Sequence, residues 1–217
     1  FPAGSTDESL EEGPACVNVD YGIPIPWIED WASTTFTYNY WSFEPNQGHW
    51  KINNSVGNAV PAAEFNWATP ETNYSYALES PTLTASIFDC SKIWLDFDLK
   101  LEDRNATGNE KLKIEVFYSG TWRKIAEYKN EGSFTWSAKH IEISATAGKA
   151  LKVRFVAYGD NSADMIAWYI DNIKVSPEPK PATDLALNPD MVNPTTYNNI
   201  RIDRKSTRLN SSHGYIS

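Results

Sequence analysis

Hydrophobic and polar positions alternate most cleanly over residues 93–101 (IWLDFDLKL). Ile93, Leu95, Phe97, Leu99 and Leu101 share one parity, and Asp96, Asp98 and Lys100 take the other. A period of two is that of a half-buried β-strand. Leu112, Ile114, Val116 and Tyr118 repeat the pattern; Ser119-Gly120 is a tight turn, and residues 121–128 return from it. Residues 134–143 supply a further strand, closed by Ala147-Gly148-Lys149. In residues 151–157, Leu151, Val153, Phe155 and Ala157 alternate with Lys152 and Arg154, and Tyr158-Gly159-Asp160-Asn161-Ser162 has the composition of a turn. The run that follows breaks its own parity. Ile166, Trp168 and Ile170 fall on one phase, whereas Ile173 and Val175 fall on the other. One extra residue near Asp171-Asn172, a β-bulge, lets both halves face the core and turns the Asp171 carboxylate sideways.

The first half is less regular. Ile23-Pro24-Ile25-Pro26 fits an extended edge segment and excludes a helix. Aromatics then crowd residues 36–67 (Phe36, Tyr38, Tyr40, Trp41, Phe43, Trp50, Phe65 and Trp67), interrupted by turn residues. Short strands about 10 to 20 residues apart, without helical periodicity, predict an all-β fold. The expected architecture is an antiparallel β-sandwich, a jelly roll, over residues 21–177, with flexible termini.

The flanks read differently. Residues 1–20 are acidic, small and unpatterned, a disordered linker. Ser176-Pro177-Glu178-Pro179-Lys180-Pro181 opens a stiff proline-rich linker, and residues 178–203 include the truncated start of a following module. Residues 204–217 turn abruptly basic and Ser/Asn-rich, and their string KSTRLNSSH resembles a translated sequencing-adaptor tail of metagenomic gene fragments. Such a tail belongs outside fold reasoning.

Composition narrows the function. Nine Trp and eleven Tyr beside two Met suit pleated surfaces. The net charge of −9 repels phosphate backbones, which argues against nucleic acid and is compatible with divalent cations. No apolar run approaches the roughly 20 residues of a membrane span, so no membrane insertion is expected. The chain begins at Phe1 with no visible signal peptide, and reads as a piece of a longer protein. Cys16 and Cys90 either pair, closing a loop worth roughly 4 kcal/mol in the chain-entropy model, or remain two free thiols.

Three candidate chemistries follow. Exposed Trp and Tyr faces stack on sugar rings, whereas buried ones fill a sandwich core. The aromatic ligand-binding candidates are Trp31, Trp94, Trp41 and Trp50, with Trp31 and Trp94 the better placed for partial exposure. If the first and last strands are neighbours, Glu29 and Asp171 come together, and two buried carboxylates need a proton or a cation between them. Asp30 and Asn172 are weaker members of that set, and Glu29 and Asp171 could instead be ordinary strand-end acids facing water. Asp96 and Asp98 share a strand face, as glycosidase acids sometimes do, but Asp/Lys alternation is the usual mark of a solvated face. Neither His49 nor His140 sits in a nucleophile or zinc motif. The expectation is no enzyme.

Four stretches carry a family resemblance: residues 25–30 (IPWIED), residues 65–67 (FNW) with 74–81 (YSYALESP), residues 108–112 (GNEKL), and residues 154–175 (RFVAYGDNS…WYIDNIKV). In them the chain resembles the MAM-like, cleaved-adhesin (choice-of-anchor J) jelly-roll modules of bacterial, Bacteroidetes-type, surface proteins. The fold so implied is concanavalin-like or galactose-binding-like. The resemblance also implies a secreted or cell-surface location, adhesion to a glycan or to a host or cell-surface protein, and a structural calcium, here at Glu29, Asp171, Asp30 and Asn172. Ile28 stands where the family usually has an aromatic residue, and the family's frequent Asp-Gly-Asp-Gly run is missing. The alternative is an accessory domain of a larger secreted peptidase or glycoside hydrolase whose catalytic domain lies elsewhere.

Overall fold

The computed structural model describes residues 22–85 and 92–178. The acidic stretch 1–20, the pairing of Cys16 with Cys90, the linker beyond Glu178 and the segment 204–217 lie outside the described residues.

The strands are β1 (Ile23–Pro24), β2 (Trp27–Glu29), β3 (Ser42–Glu44), β4 (Trp50–Asn53), β5 (Ala62–Asn66), β6 (Thr72–Glu79) and β7 (Leu83–Thr84), then β8 (Ile93–Asp103), β9 (Lys111–Tyr118), β10 (Thr121–Lys129), β11 (Phe134–Glu142), β12 (Ala150–Asn161) and β13 (Met165–Pro177). One sheet runs β10–β9–β12–β6–β3, with β7 and β1 continuing beside the start of β12. The other runs β11–β8–β13–β5–β4, with β2 beside the last part of β13. Among the described pairings only β1 with β7 is parallel. The architecture is the all-β sandwich of a jelly roll.

Alternation explains the core. Ile93, Leu95, Leu99 and Leu101 are fully buried on β8, as are Leu151, Val153 and Phe155 on β12. Phe97 meets Phe155 edge-to-face across the sandwich at 5.3 Å. Each fully buried large apolar side chain contributes about 1.5–3 kcal/mol. Ser119 and Gly120 have φ of 50° and 77°, as a two-residue hairpin between β9 and β10 requires.

The parity break in β13 is a bulge. Its register against β8 shifts between Asp171 and Lys174, and Asn172 has φ of 50°. Trp168, Ile170, Ile173 and Val175 consequently all reach 0% exposure. Two expectations need correction. Ile166 does not share the inward phase of Trp168, because a second register shift between Met165 and Ala167 turns it out to 37% exposure. Residues 158–161 are not a turn: β12 runs on to Asn161. The cause is Glu110, whose buried carboxylate lies over the Gly159 backbone and accepts from Asp160 N at 3.1 Å and Asn161 N at 2.9 Å. Gly159 is there for close approach, not for a reversal.

Gly159→Ala should therefore be costly, since the added carbon would overlap the Glu110 carboxylate and sit 2.9 Å from the Glu110 Cα. The expected loss is about 2–3 kcal/mol, as for an overpacked core, read from the midpoint of urea denaturation. A second prediction concerns the tyrosines. Burial, then the Glu110 carboxylate, pushes the Tyr74 hydroxyl above its ordinary range. Burial, then Glu127, pushes Tyr158 up to about 12, and burial, then Glu64, raises Tyr169. Ionisation is thus easier in the unfolded chain. The stability these hydroxyls carry is complete below the ordinary tyrosine pKa of about 10 and is lost as pH climbs beyond it. Phenolate absorbance should rise together with loss of structure in an alkaline titration.

Candidate functional site

The opening strand does lie beside the last one, with Glu29 opposite Ile173 and Trp27 opposite Val175. Glu29 is 1% exposed and points inward. Its Oε1 accepts from Trp31 N at 2.9 Å, and its Oε2 accepts from Asn39 Nδ2 and Trp41 Nε1, both at 2.8 Å. One buried carboxylate thereby holds both ends of the segment 30–41, in which Trp31, Thr34 and Tyr40 have φ near +59°. Asp30 is exposed and caps Ala32 N at 3.0 Å.

Asp171 is fully buried on the outward side of its strand, opposite Asp98. Its Oδ2 accepts from Asn58 N at 2.8 Å and Ala59 N at 3.1 Å, and its Oδ1 from Asn172 N at 2.7 Å. Burial pushes its pKa above the usual carboxylate range, against the three backbone donors that lower it. Glu29 and Asp171 share none of these partners.

A calcium ion takes six to eight oxygens. What faces Glu29 and Asp171 is N–H groups, including a tryptophan nitrogen that can only donate. The proposed quartet of Glu29, Asp30, Asp171 and Asn172 is not gathered into one ligand set and, as these residues stand, does not fit a cation. Among the described residues, no group of three or more His, Cys, Asp or Glu side chains is assembled for a metal.

The aromatic candidates also divide. Trp31 is 0% exposed, Trp41 4% and Trp50 1%, so none of the three offers a ring face to a ligand. Trp31 packs on Trp41 at 4.9 Å and edge-on to Phe36 at 5.4 Å, and its Nε1 donates to Ile170 O at 3.0 Å. Trp50 packs against Phe65 at 5.3 Å. They fill the core beside the short strands β2, β3 and β4. The expected partial exposure of Trp31 fails because its positive φ turns the indole inward toward Trp41.

Trp94 is different. It stands outward on β8, half-buried, and lines an open groove of about 810 Å³ on the outer face of its sheet. Across the groove, Trp94 and His140 form one side, Lys174 and Ser176 lie along the middle on β13, and Pro26 and Ile28 form the other side. The Trp94 and His140 rings stack at 3.9 Å and 17°. His140 Nδ1 meets Asp96 Oδ1, and Lys92 Nζ lies 5.5 Å from the Trp94 ring. An indole, a carboxylate, an ammonium and a hydroxyl in one groove can pack an apolar ring face while bonding hydroxyls at its rim.

Sequence reading missed His140 and Ile28 as groove residues. His140 faces Asp96 only because β11 carries a register shift between Phe134 and Ser137, which no local pattern reveals. Ile28, 63% exposed, had a signal in its outward parity between Trp27 and Glu29. Tyr38 and Tyr40, at 74% and 75% exposure, are the members of the aromatic crowd that face solvent.

The fold is that of cleaved-adhesin domains and carbohydrate-binding modules. The K1 cleaved adhesin domain of Lys-gingipain from Porphyromonas gingivalis W83 superposes with a TM-score of 0.54 at 15% identity, covering 70% of this chain and 98% of that one. The module TmCBM61, solved with β-1,4-galactotriose, gives 0.51 at 15% identity, covering 69% and 94%. No family model and no curated protein sequence matches the chain.

Asp171→Asn should lower stability by about 1–3 kcal/mol, because an amide nitrogen would then face backbone N–H groups. Equal urea midpoints for variant and parent would show that these bonds contribute nothing.

Proposed function

We propose that this chain is a non-catalytic, extracellular glycan-binding module whose ligand lies in the Trp94 groove. The supporting observation is the half-buried indole, backed by His140 on one side and flanked by Asp96, Lys174 and Ser176. The carboxylates Asp96 and Asp98, on the same strand face, are engaged: Asp96 with His140, and Asp98 with the side chains of Asn58 and Asn172 at 2.8 Å. Neither is arranged as an acid facing a nucleophile. An extracellular setting agrees with the cleaved-adhesin resemblance.

The full chain should bind immobilised glycans in an array, and Trp94→Ala should weaken that binding at least about tenfold, as loss of a central aromatic anchor does. The substitution removes a half-buried outward side chain, so the melting temperature should change little. Undiminished binding by the variant would remove the groove as the site. In this reading N–H donors, not an ion, occupy the carboxyl oxygens of Glu29 and Asp171. Adding a chelator should therefore leave the melting curve in place, and a fall of several degrees would restore calcium to the seam.

A further inference from the structure

The groove stops partway along its sheet. The outward positions of β8 are Trp94, Asp96, Asp98, Lys100 and Glu102 in succession, and only Trp94 and Asp96 line it. At the next outward position, Asp98 Oδ2 accepts from Asn58 Nδ2 and Asn172 Nδ2, both at 2.8 Å. Asn58 belongs to the segment 54–61 that joins β4 to β5, and its backbone N–H, with that of Ala59, is fixed to Asp171. Asp171 is directed outward, yet 0% of it is exposed. The segment therefore lies over the sheet at this point, as a bar across the strands. Beyond it is a separate aromatic patch in which Tyr169 has the Lys100 ammonium 5.0 Å and the Trp136 ring 6.4 Å away. The opposite end of the groove, at Pro177 and Glu178, is the end of the sheet among the described residues.

From the row of Ile93 and Pro177 to that of Asp96 and Lys174 is three residue steps, or about 10 Å, room for about two or three sugar rings. We propose that the groove takes the terminus of a glycan chain, not an internal stretch, with the Asn58 bar as the stop against which the last sugar abuts. The inference rests on the glycan reading of the same groove. Asp96 and Lys174, opposite each other in the row nearest the bar, accept from and donate to the hydroxyls that only a chain end presents. Trp94, nearer the open end, packs the ring face of the preceding unit. An internal stretch would have to climb over Asn58 or leave the sheet.

Calorimetric titration of the full chain with cello-, xylo-, manno- and galacto-oligosaccharides of increasing length, and with the parent polysaccharides, tests this. In whichever series binds, affinity should rise to about three units and then gain less than about twofold up to six, since later units make no contact. Binding sites per mass of polysaccharide should increase when the polymer is partly hydrolysed, because each cut creates a terminus. Affinity that climbs roughly tenfold or more between three and six units, with sites per mass unaffected by hydrolysis, would overturn end recognition while leaving the groove a glycan site. Binding in a series that Trp94→Ala retains in full, or failure of every series to bind, would remove the underlying reading and the end-recognition proposal together.

Discussion

One extra residue in the last strand is the constraint from which the rest of the module follows. Side chains on a strand alternate with a period of two, so an unbroken β13 could bury Trp168 and Ile170 or Ile173 and Val175, but not both pairs. The bulge at Asp171–Asn172 resolves the conflict, and all four are fully buried. It requires a positive φ, which Asn172 supplies at 50° as asparagine does more readily than branched residues. It also sets the outward side. Lys174 and Ser176 emerge on the groove side of the bulge, and Asp171 emerges under the segment 54–61. Core, groove and bar share one backbone irregularity.

Buried carboxylates then do for the loops what ladders do for the strands. Glu29 gathers the two ends of segment 30–41, Asp171 holds segment 54–61, and Glu110 binds the last amides of β12. Each is a carboxyl group with little water around it, costly unless hydrogen-bonded. Each meets two or three N–H donors, the arrangement that offsets the cost and fixes irregular backbone in one shape. This explains how a segment with three non-glycine residues at positive φ, Trp31, Thr34 and Tyr40, can be held in place. The exposed Tyr38 and Tyr40 are displayed by a segment whose ends are anchored in the core.

Much of this was legible in the sequence, for a physical reason. The alternation of residues 93–101 records burial directly, and every inward residue it predicts on β8 is buried. The bulge was legible because a broken parity has few explanations. What escaped depends on contacts distant in the chain. Glycine at 159 reads as a turn until Glu110 is seen lying over it. Trp31 reads as partly exposed until its positive φ and the Ile170 carbonyl turn it inward. His140 joins Trp94 only through the register of β11 on β8. The seam was anticipated, but its donors were not, because Asn39 and Trp41 carry no local mark of their partner.

The bulge presents Asp171 to the segment 54–61 and so fixes the bar beside the groove. Amide hydrogen exchange, resolved residue by residue by NMR, reads that directly. The amides of Asn58 and Ala59 belong to exposed residues outside any strand ladder; bonded to a buried carboxylate, they should exchange as slowly as amides within β13, and become fast in Asp171→Ala. Rapid exchange at both positions in the parent protein would mean that Asp171 does not hold the segment.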